Sequence, residues 1–194
     1  MVKNNQQQPA KLLLDHLELL QEAGAGLPAL DLACGSGRNG LELAAHGVEV
    51  VFADRSADSL KLVGQQLQER KLPGRLWRVD LERETSAPLR GLQFSSIVVF
   101  RYLHRPLFPA LLRAVQPGGL IIYETFTREN RRFGRPDNPD FLLKPGELKT
   151  IFRNWEIIHY FEGVKQNPDR AIAQIVARCP RAGNPGATDL TQQA

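Results

Sequence analysis

The chain has 194 residues, of which 42% are hydrophobic and 24% are charged. This length and composition predict a single soluble globular domain with a substantial core. The net charge of +4 is mildly basic. It permits a nucleic-acid partner without indicating one, because such a partner also needs a basic patch and a recognisable binding module. We therefore do not expect nucleic acid.

Cysteine usage and hydropathy argue against further classes. Cys34 and Cys179 are far apart and belong to no CxxC pair, which disfavours a disulfide framework and a zinc site. This usage suits a reducing compartment, so we expect a cytoplasmic protein without a metal. The polar opening of the chain is unlike a signal peptide, and no apolar run approaches the length of a membrane span.

Short apolar runs alternate with longer amphipathic stretches along the chain. The apolar runs predict seven strands, at residues 29–33, 48–53, 74–79, 94–100, 120–126, 155–161 and 171–177. The amphipathic stretches predict helices at residues 10–23, 38–46, 57–70, 106–115 and 145–152. Gly47 suits the end of one helix, Ser56 suits the cap of the next, and Pro145 suits the first position of the last.

This alternation predicts an α/β domain with a mostly parallel sheet and helices on both faces. Nine residues, 162–170, separate the last two predicted strands. That is too short for a helical crossover but suits a hairpin, so these strands should be antiparallel neighbours. We expect the domain to span residues 10–179, between a flexible N-terminus at 1–9 and a disordered tail at 180–194.

Glycines cluster where the first predicted strand ends and a helix begins. Gly35, Gly37 and Gly40 have the spacing G-x-G-x-x-G within DLACGSGRNG. A tight turn with close helix packing would explain them, but a strand before and a helix after favour a cofactor site. Asp54 ends the second strand, and an acid there accepts hydrogen bonds from ribose hydroxyls of NAD or of S-adenosylmethionine (SAM).

Three features favour SAM over NAD. Asp31 lies inside the first strand, where a carboxylate would repel a pyrophosphate but would suit an ammonium or sulfonium group. Asp80 ends the third strand in RVDLE, where it could accept a hydrogen bond from the adenine amine or be a solvated loop acid. The antiparallel terminal hairpin is foreign to the dinucleotide-binding sheet.

The stretches LDLACGSGRNGLELAAHGVEVVFADRS, RVDLE and RAVQPGGLIIYETF resemble class I SAM-dependent methyltransferases, and the resemblance runs from about Leu27 to Arg178. The glycine turn and the later NPDFLLKPGELKTIFRNWEIIHYFEG are similar to small tellurite-resistance-type methyltransferases. The resemblance implies a Rossmann-like seven-stranded sheet with an antiparallel last strand. It also implies SAM as cofactor, S-adenosylhomocysteine (SAH) as product, and a chalcogen compound or another small molecule as acceptor. Ala33 stands where the family most often has glycine.

The resemblance also implies roles for individual residues toward SAM. Ala33, Gly35 and Gly37 would contact the methionine moiety, and Asp31 its amino group, directly or through water. Asp54 would bind the ribose, Asp80 and the Leu81 backbone the adenine, and Phe100 or Arg101 the methionine end. Arg38 would bind the SAM carboxylate or face solvent, and Arg55 completes the predicted cofactor-binding set.

The segment FRYLHRP, residues 100–106, follows the fourth strand, where the acceptor should enter. Tyr102 and His104 are the candidate catalytic residues, as a base or as orienting groups. His104 has an alternative role as the cap of the next helix. The Asn-Pro-Pro-Tyr type turn of amino-group methyltransferases is absent after this strand, which disfavours adenine, cytosine or glutamine acceptors.

A long loop, residues 127–143, follows the fifth strand and carries Arg128, Arg131, Arg132 and Arg135. It is predicted either as a solvated basic loop or as a lid that attracts an anionic acceptor. Phe126, Phe133 and Phe141 are candidates for the wall of an acceptor pocket.

Three other functions compete with a small-molecule methyltransferase. They are a non-catalytic SAM-binding protein, an RNA or protein methyltransferase, and an NAD(P)-binding oxidoreductase. The acceptor and the oligomeric state do not follow from the sequence.

Overall fold

The computed structural model of the protein describes residues 8–24, 26–83 and 87–181. The predicted flexible N-terminus and disordered tail lie outside these residues, apart from 8–9 and 180–181.

The described residues form one sheet of seven strands. The strands are β1 (Ala29–Leu32), β2 (Val50–Asp54), β3 (Gly74–Arg78), β4 (Phe94–Phe100), β5 (Val115–Phe126), β6 (Glu156–Lys165) and β7 (Arg170–Arg178). Their order across the sheet is β3-β2-β1-β4-β5-β7-β6. The first five strands are parallel, and β7 is antiparallel to both β5 and β6. The predicted fold class and terminal hairpin are confirmed.

The helices pack on both faces of this sheet. They are α1 (Lys11–Leu14), α2 (Leu17–Ala23), α3 (Arg38–Ala45), α4 (Ala57–Arg70), α5 (Phe108–Ala114) and α6 (Glu147–Ile151). Short 3-10 helices lie at Arg105–Leu107, Arg128–Arg132 and Pro139–Phe141. One buried cluster joins the sheet to α5 and α6, and a second joins its other face to α1, α2, α3 and α4.

Two predicted helix ends are confirmed by their capping geometry. The Ser56 hydroxyl accepts a hydrogen bond from the Ser59 N–H at 3.1 Å, as expected for an N-cap. Gly47 follows α3 with φ +82, the left-handed conformation that glycine adopts without steric cost.

The predicted N-terminal helix is wrong as one element, because it breaks at His16. The His16 ring nitrogen Nδ1 contacts the Leu12 carbonyl at 2.9 Å, and the His16 N–H bonds Leu13 instead. The side chain therefore occupies the carbonyl that would continue the helix.

The last predicted helix begins two residues late. Gly146 has φ +68, which interrupts the helical path, so Pro145 lies in a turn and Glu147 is the first helical residue. β5 also begins earlier than predicted, since residues 116–119 form a bulge against β4. Gly119 is needed there, because a Cβ would lie 2.5 Å from the Ser95 carbonyl oxygen.

Candidate active site

The glycine turn links β1 to α3 through a series of left-handed residues. Ala33, Gly35 and Gly37 have φ of +54, +54 and +73. Gly37 is the N-cap of α3, and a Cβ there would lie 2.6 Å from the Val63 side chain. Ala33 adopts a conformation in which glycine is more stable, so the departure from the family pattern carries a steric cost.

Gly40 allows α3 to pack closely on the sheet. A Cβ at this position would lie 2.4 Å from the Phe52 ring and 2.8 Å from Asp31 Oδ2. The Gly40 N–H donates to that same oxygen at 2.8 Å. The three glycines therefore serve different purposes: two shape the turn, and the third lets the helix approach a buried carboxylate.

Asp31 is buried at 3% exposure. Burial raises the pKa of its carboxyl to about 7, and Asp54 adds to this effect, whereas the Gly40 N–H and Arg38 oppose it. A cation placed beside Asp31 would favour its ionised form, because opposite charges stabilise each other.

Asp54 joins the end of β2 to the glycine turn. Its Oδ2 accepts from the Gly35 N–H at 2.8 Å, and its Oδ1 accepts from the Ser56 N–H at 2.8 Å. A carboxylate has about four acceptor sites, so Asp54 keeps acceptor capacity for a ligand.

Two cavities meet at this edge of the sheet and share Ala33 and Arg101. The first, of about 280 Å³, is lined by Ala33, Asp54, Arg55, Val79, Asp80, Leu81, Glu82, Arg101 and Tyr102. The second, of about 260 Å³, is lined by Asp31, Ala33, Cys34, Gly35, Ser36, Arg38, Asn39, Phe100 and Arg101. Every residue of the predicted cofactor-binding set except Gly37 lines one of them.

A third cavity, of about 270 Å³, adjoins the first through Glu82, Arg101 and Tyr102. Its remaining walls are Leu103, Thr125, Phe126, Pro136 and Phe141. We call it the acceptor cavity, after the acceptor pocket that the sequence analysis predicts in this region. Phe126 and Phe141, two of the three phenylalanines predicted to wall an acceptor pocket, line this cavity. The Phe133 ring lies under the Arg132 guanidinium at 4.6 Å.

The two candidate catalytic residues lie in different settings. The Tyr102 hydroxyl is buried and has no hydrogen bond of ordinary geometry to a described residue. Burial and the nearby Glu82 carboxylate raise its pKa, so it remains a hydrogen-bond donor. His104 caps the 3-10 helix Arg105–Leu107 through its backbone. Among the described residues it lines none of these three cavities.

Arg38 and Arg101 flank the second cavity. Arg38 donates to the Gln8 carbonyl at 2.9 Å, which ties the N-terminal segment to the first turn of α3. Burial and the Arg101 guanidinium lower the pKa of Arg38, and Glu124 and Asp31 oppose this. Arg101 has φ +58 and donates its N–H to the Glu124 carbonyl at 2.8 Å.

The loop 127–143 is closed at its base. Thr127 pairs with Leu143 in a parallel β-bridge. The Leu143 N–H donates to the Phe126 carbonyl at 2.9 Å, and the Arg128 N–H donates to the Leu143 carbonyl at 3.0 Å. The four arginines of the loop are exposed, and Arg132 pairs with Glu129 at 2.8 Å. The loop contributes apolar residues, Pro136 and Phe141, to the acceptor cavity.

Sequence reasoning missed Glu82, Pro136 and Arg105. Glu82 and Pro136 line the acceptor cavity, and Arg105 holds the segment that carries Phe141. FRYLHRP contains Arg105, but its partners lie 35–42 residues further along the chain. No local pattern marks them.

Within residues 8–24, 26–83 and 87–181, no cluster of three or more His, Cys, Asp or Glu side chains is placed to hold a metal ion. The helices of the same ranges are all too short or too polar to cross a membrane.

The sheet order, the antiparallel β7 and the cavities at the carboxyl ends of β1, β2 and β4 define a class I methyltransferase fold. The family model of the tellurite resistance protein TehB matches residues 25–174. The chain therefore belongs to the TehB family.

Two curated relatives match the chain at low identity. The "Probable S-adenosyl-L-methionine-dependent methyltransferase TehB" of Haemophilus influenzae is 26% identical over 140 residues, covering 70% of this chain and 48% of the relative. "Hemagglutinin 1" of Eikenella corrodens is 28% identical, covering 70% and 46%. The chain thus spans about half the length of the curated relatives it matches.

Solved structures share the fold. The crystal structure of TehB from Haemophilus influenzae superposes with a TM-score of 0.69 at 21% identity, covering 86% of this chain and 61% of that one. Magnesium protoporphyrin IX methyltransferase from Synechocystis PCC 6803, with bound SAH, gives a TM-score of 0.62 at 16% identity, covering 86% and 81%.

Proposed function

We propose that the protein is a SAM-dependent methyltransferase that acts on a small-molecule acceptor. The observation that carries the proposal is the junction at Arg101 and Tyr102. There, the cavities that contain the glycine turn and the strand-end acids adjoin a separate cavity with apolar walls. Such a junction suits a reaction in which one bound molecule transfers a group to another. The printed name of the Haemophilus influenzae relative supports the same activity.

The residues of the first two cavities fit the two ends of SAM. Asp54 keeps acceptor capacity for ribose hydroxyls, and Asp80 offers an exposed carboxylate to the adenine amine. At the other end, buried Asp31 suits the ammonium group and Arg38 suits the carboxylate. When bound, SAM supplies a methyl group on a sulfonium sulfur, which passes to a lone pair of the acceptor and leaves SAH.

The chain contributes mainly alignment and exclusion of water. Leu103, Phe126 and Phe141 would surround the acceptor with apolar surface. Holding the acceptor in line with the methyl group can supply roughly 7–11 kcal/mol of the barrier. Tyr102, which stays protonated, would donate a hydrogen bond to the acceptor. In this proposal Tyr102 orients the acceptor, and His104 has no part in the reaction.

We further propose that the acceptor is a soft nucleophile of the chalcogen class. A thiolate or a chalcogen oxyanion carries an available lone pair and needs no general base. Arg101 would attract such an anion. Because Glu82 lies on the same wall, a singly charged acceptor suits the site better than a dianion. The family name supports this class. Cys34 and Cys179 are both free thiols. Free thiols persist in a reducing compartment, so we also propose a cytoplasmic location.

Calorimetry with SAH, followed by transfer assays with labelled SAM, tests the proposal. The acceptors are tellurite, selenite and thiophenol, and NADH is the control ligand in calorimetry. We expect SAH binding, no NADH binding, and label transfer to at least one acceptor. Binding of SAH without transfer to any of the three would contradict the proposed acceptor class. Failure to bind SAH would contradict the proposed activity.

A further inference from the structure

A bidentate ion pair lies beside the acceptor cavity and joins two distant parts of the chain. Arg105 Nε lies 2.7 Å from Glu147 Oε1, and Arg105 Nη2 lies 2.9 Å from Glu147 Oε2. The side chains are 31% and 15% exposed, so water screens this pair less than it screens a fully exposed one. Two parallel hydrogen bonds between a guanidinium and a carboxylate fix orientation as well as distance.

The same guanidinium also binds two backbone carbonyls. Arg105 Nη1 donates to Asp140 at 2.8 Å, and Nη2 donates to Leu142 at 2.9 Å. Glu147 in turn accepts the Lys144 N–H at 2.7 Å. All three guanidinium nitrogens of Arg105 are thus engaged by the segment 140–147.

Phe141 lies between the two carbonyls that Arg105 holds. Its neighbours Leu142 and Leu143 are fully buried, whereas Phe141 is 50% exposed and lines the acceptor cavity. Core packing therefore contributes little to the position of its ring. The backbone carbonyls of Asp140 and Leu142, on either side of Phe141, are bonded to Arg105, and buried Leu142 and Leu143 anchor the chain that follows.

Along the chain, Arg105 comes two residues after the segment that lines the opposite wall of the cavity. Arg101, Tyr102 and Leu103 line that wall, and the Tyr102 carbonyl accepts a hydrogen bond from the buried Tyr123 hydroxyl at 2.8 Å. One segment, residues 101–105, thus forms one wall and holds the other. The Arg105 contacts therefore connect the two walls directly.

We propose that Arg105 is a positioning residue that sets the width of the acceptor cavity by fixing Phe141, and that it thereby determines which acceptors bind. This inference rests on the proposed function, since it assigns the cavity to the acceptor. Lysine cannot replace Arg105, because an ammonium lacks the planar fork that reaches the carboxylate and both carbonyls at once.

The test compares Arg105→Lys, Arg105→Ala and Glu147→Gln with the wild-type protein. Arg113→Ala removes an exposed arginine of α5 and is the matched charge control. The first measurement is hydrogen exchange of residues 138–143, with tryptic cleavage after Arg131 and Arg132 as a second probe. We expect faster exchange and cleavage in both Arg105 variants, a smaller change in Glu147→Gln, and none in the control.

The second measurement is thiophenol binding to the SAH complex, together with KM and kcat for tellurite. We expect both Arg105 variants to weaken thiophenol binding and raise the tellurite KM by about tenfold, which corresponds to about 1.4 kcal/mol. SAH affinity should stay within about twofold of wild type, because Phe141 and the segment that Arg105 holds do not line the first two cavities. The change in KM should exceed that in kcat.

Three outcomes would overturn the inference. Unchanged exchange in both Arg105 variants would show that the ion pair does not hold the loop. Faster exchange with unchanged thiophenol binding would show that the loop does not shape the cavity. Wild-type protein that binds SAH but not thiophenol would show that the cavity is not the site of such an acceptor. If wild-type protein does not bind SAH, the proposed function is rejected instead. The exchange data would still decide whether Arg105 holds the loop.

Discussion

The carboxylate of Asp54 and the backbone N–H of Gly35 are joined by a 2.8 Å hydrogen bond. A residue that the sequence assigns to ligand binding therefore also supports the turn that would bind the other end of the same ligand. Its second oxygen holds the Ser56 N–H, at the start of α4. The proposed ribose contact would therefore couple cofactor affinity to stability at this residue.

We expect Asp54→Ala to lower both properties. The variant leaves two backbone N–H groups without their acceptor and removes the proposed ribose ligand, and each effect should cost about 1–3 kcal/mol. Thermal unfolding and SAH calorimetry measure the two effects separately. Ser56→Ala is the control, since it loses the helix cap but keeps Asp54. A folded Asp54→Ala protein with native SAH affinity would contradict the ribose assignment.

Gly35→Ala separates the shape of the glycine turn from its contact with a ligand. Gly35 has φ +54 and Gly47 has φ +82, and a Cβ at either position would meet nothing within 4 Å. Both alanine variants should therefore lose a similar stability, about 1 kcal/mol. Only Gly35→Ala places a methyl group in the second cavity, so only this variant should bind SAH more weakly. Equal SAH affinity in the two variants would mean that the turn does not contact the cofactor.

Asp31 should make the stability of the ligand-free protein depend on pH. Its folded pKa is raised from 3.8 to about 7. Between these values the unfolded chain has lost the proton that the folded protein retains, so the free energy of unfolding falls as pH rises, by at most about 1.4 kcal/mol per pH unit. Above pH 7 the loss is complete and constant.

Asp31→Asn removes this titration while keeping an oxygen that can accept the Gly40 N–H. Thermal unfolding of both proteins should be measured from pH 4 to 8. The stability of the variant relative to wild type should rise up to about pH 7 and then level off. A difference that does not vary with pH would contradict the raised pKa.

The loop arginines should affect the encounter with an anionic acceptor and leave the cofactor unaffected. Arg131→Gln/Arg132→Gln should raise the KM for tellurite and reduce its dependence on salt, since charges are screened beyond about 8 Å at physiological ionic strength. SAH affinity should not change. Arg153→Gln, at an exposed arginine after α6, is the control. An unchanged salt response would identify the loop arginines as a solvated surface.

The features that sequence predicted correctly depend on local rules. Ser56 and Gly47 mark helix ends through the chemistry of one residue, and the nine residues of 162–170 admit only a hairpin. The structure shortens that connection to four residues, because β6 and β7 extend to Lys165 and Arg170. The helix break at His16 was not predictable from apolar periodicity, because a side chain competes there for a backbone carbonyl.

In the candidate site, too, the proposed cofactor-binding residues follow from local rules, whereas the acceptor cavity does not. Residues of the glycine turn and the strand ends lie together because parallel strands end at one edge of the sheet. The acceptor cavity instead depends on how residues 127–143 fold back. Phe133 and Phe141 look equivalent in sequence, yet only Phe141 lies between two carbonyls that Arg105 holds. Contacts separated by some forty residues leave no periodic signal.

Because Thr127 pairs with Leu143, the two ends of the segment between them lie side by side. The junction is made by backbone hydrogen bonds between Leu143 and residues 126 and 128, and Thr127 and Leu143 are both buried. A segment of different length or composition grafted at these two points would keep the backbone junction, but it would also have to replace the Asn130 contact with Ala171 and the Arg105 contacts with residues 140 and 142. With those contacts kept, the wall that carries Pro136 and Phe141 can be exchanged as one segment, without altering the glycine turn.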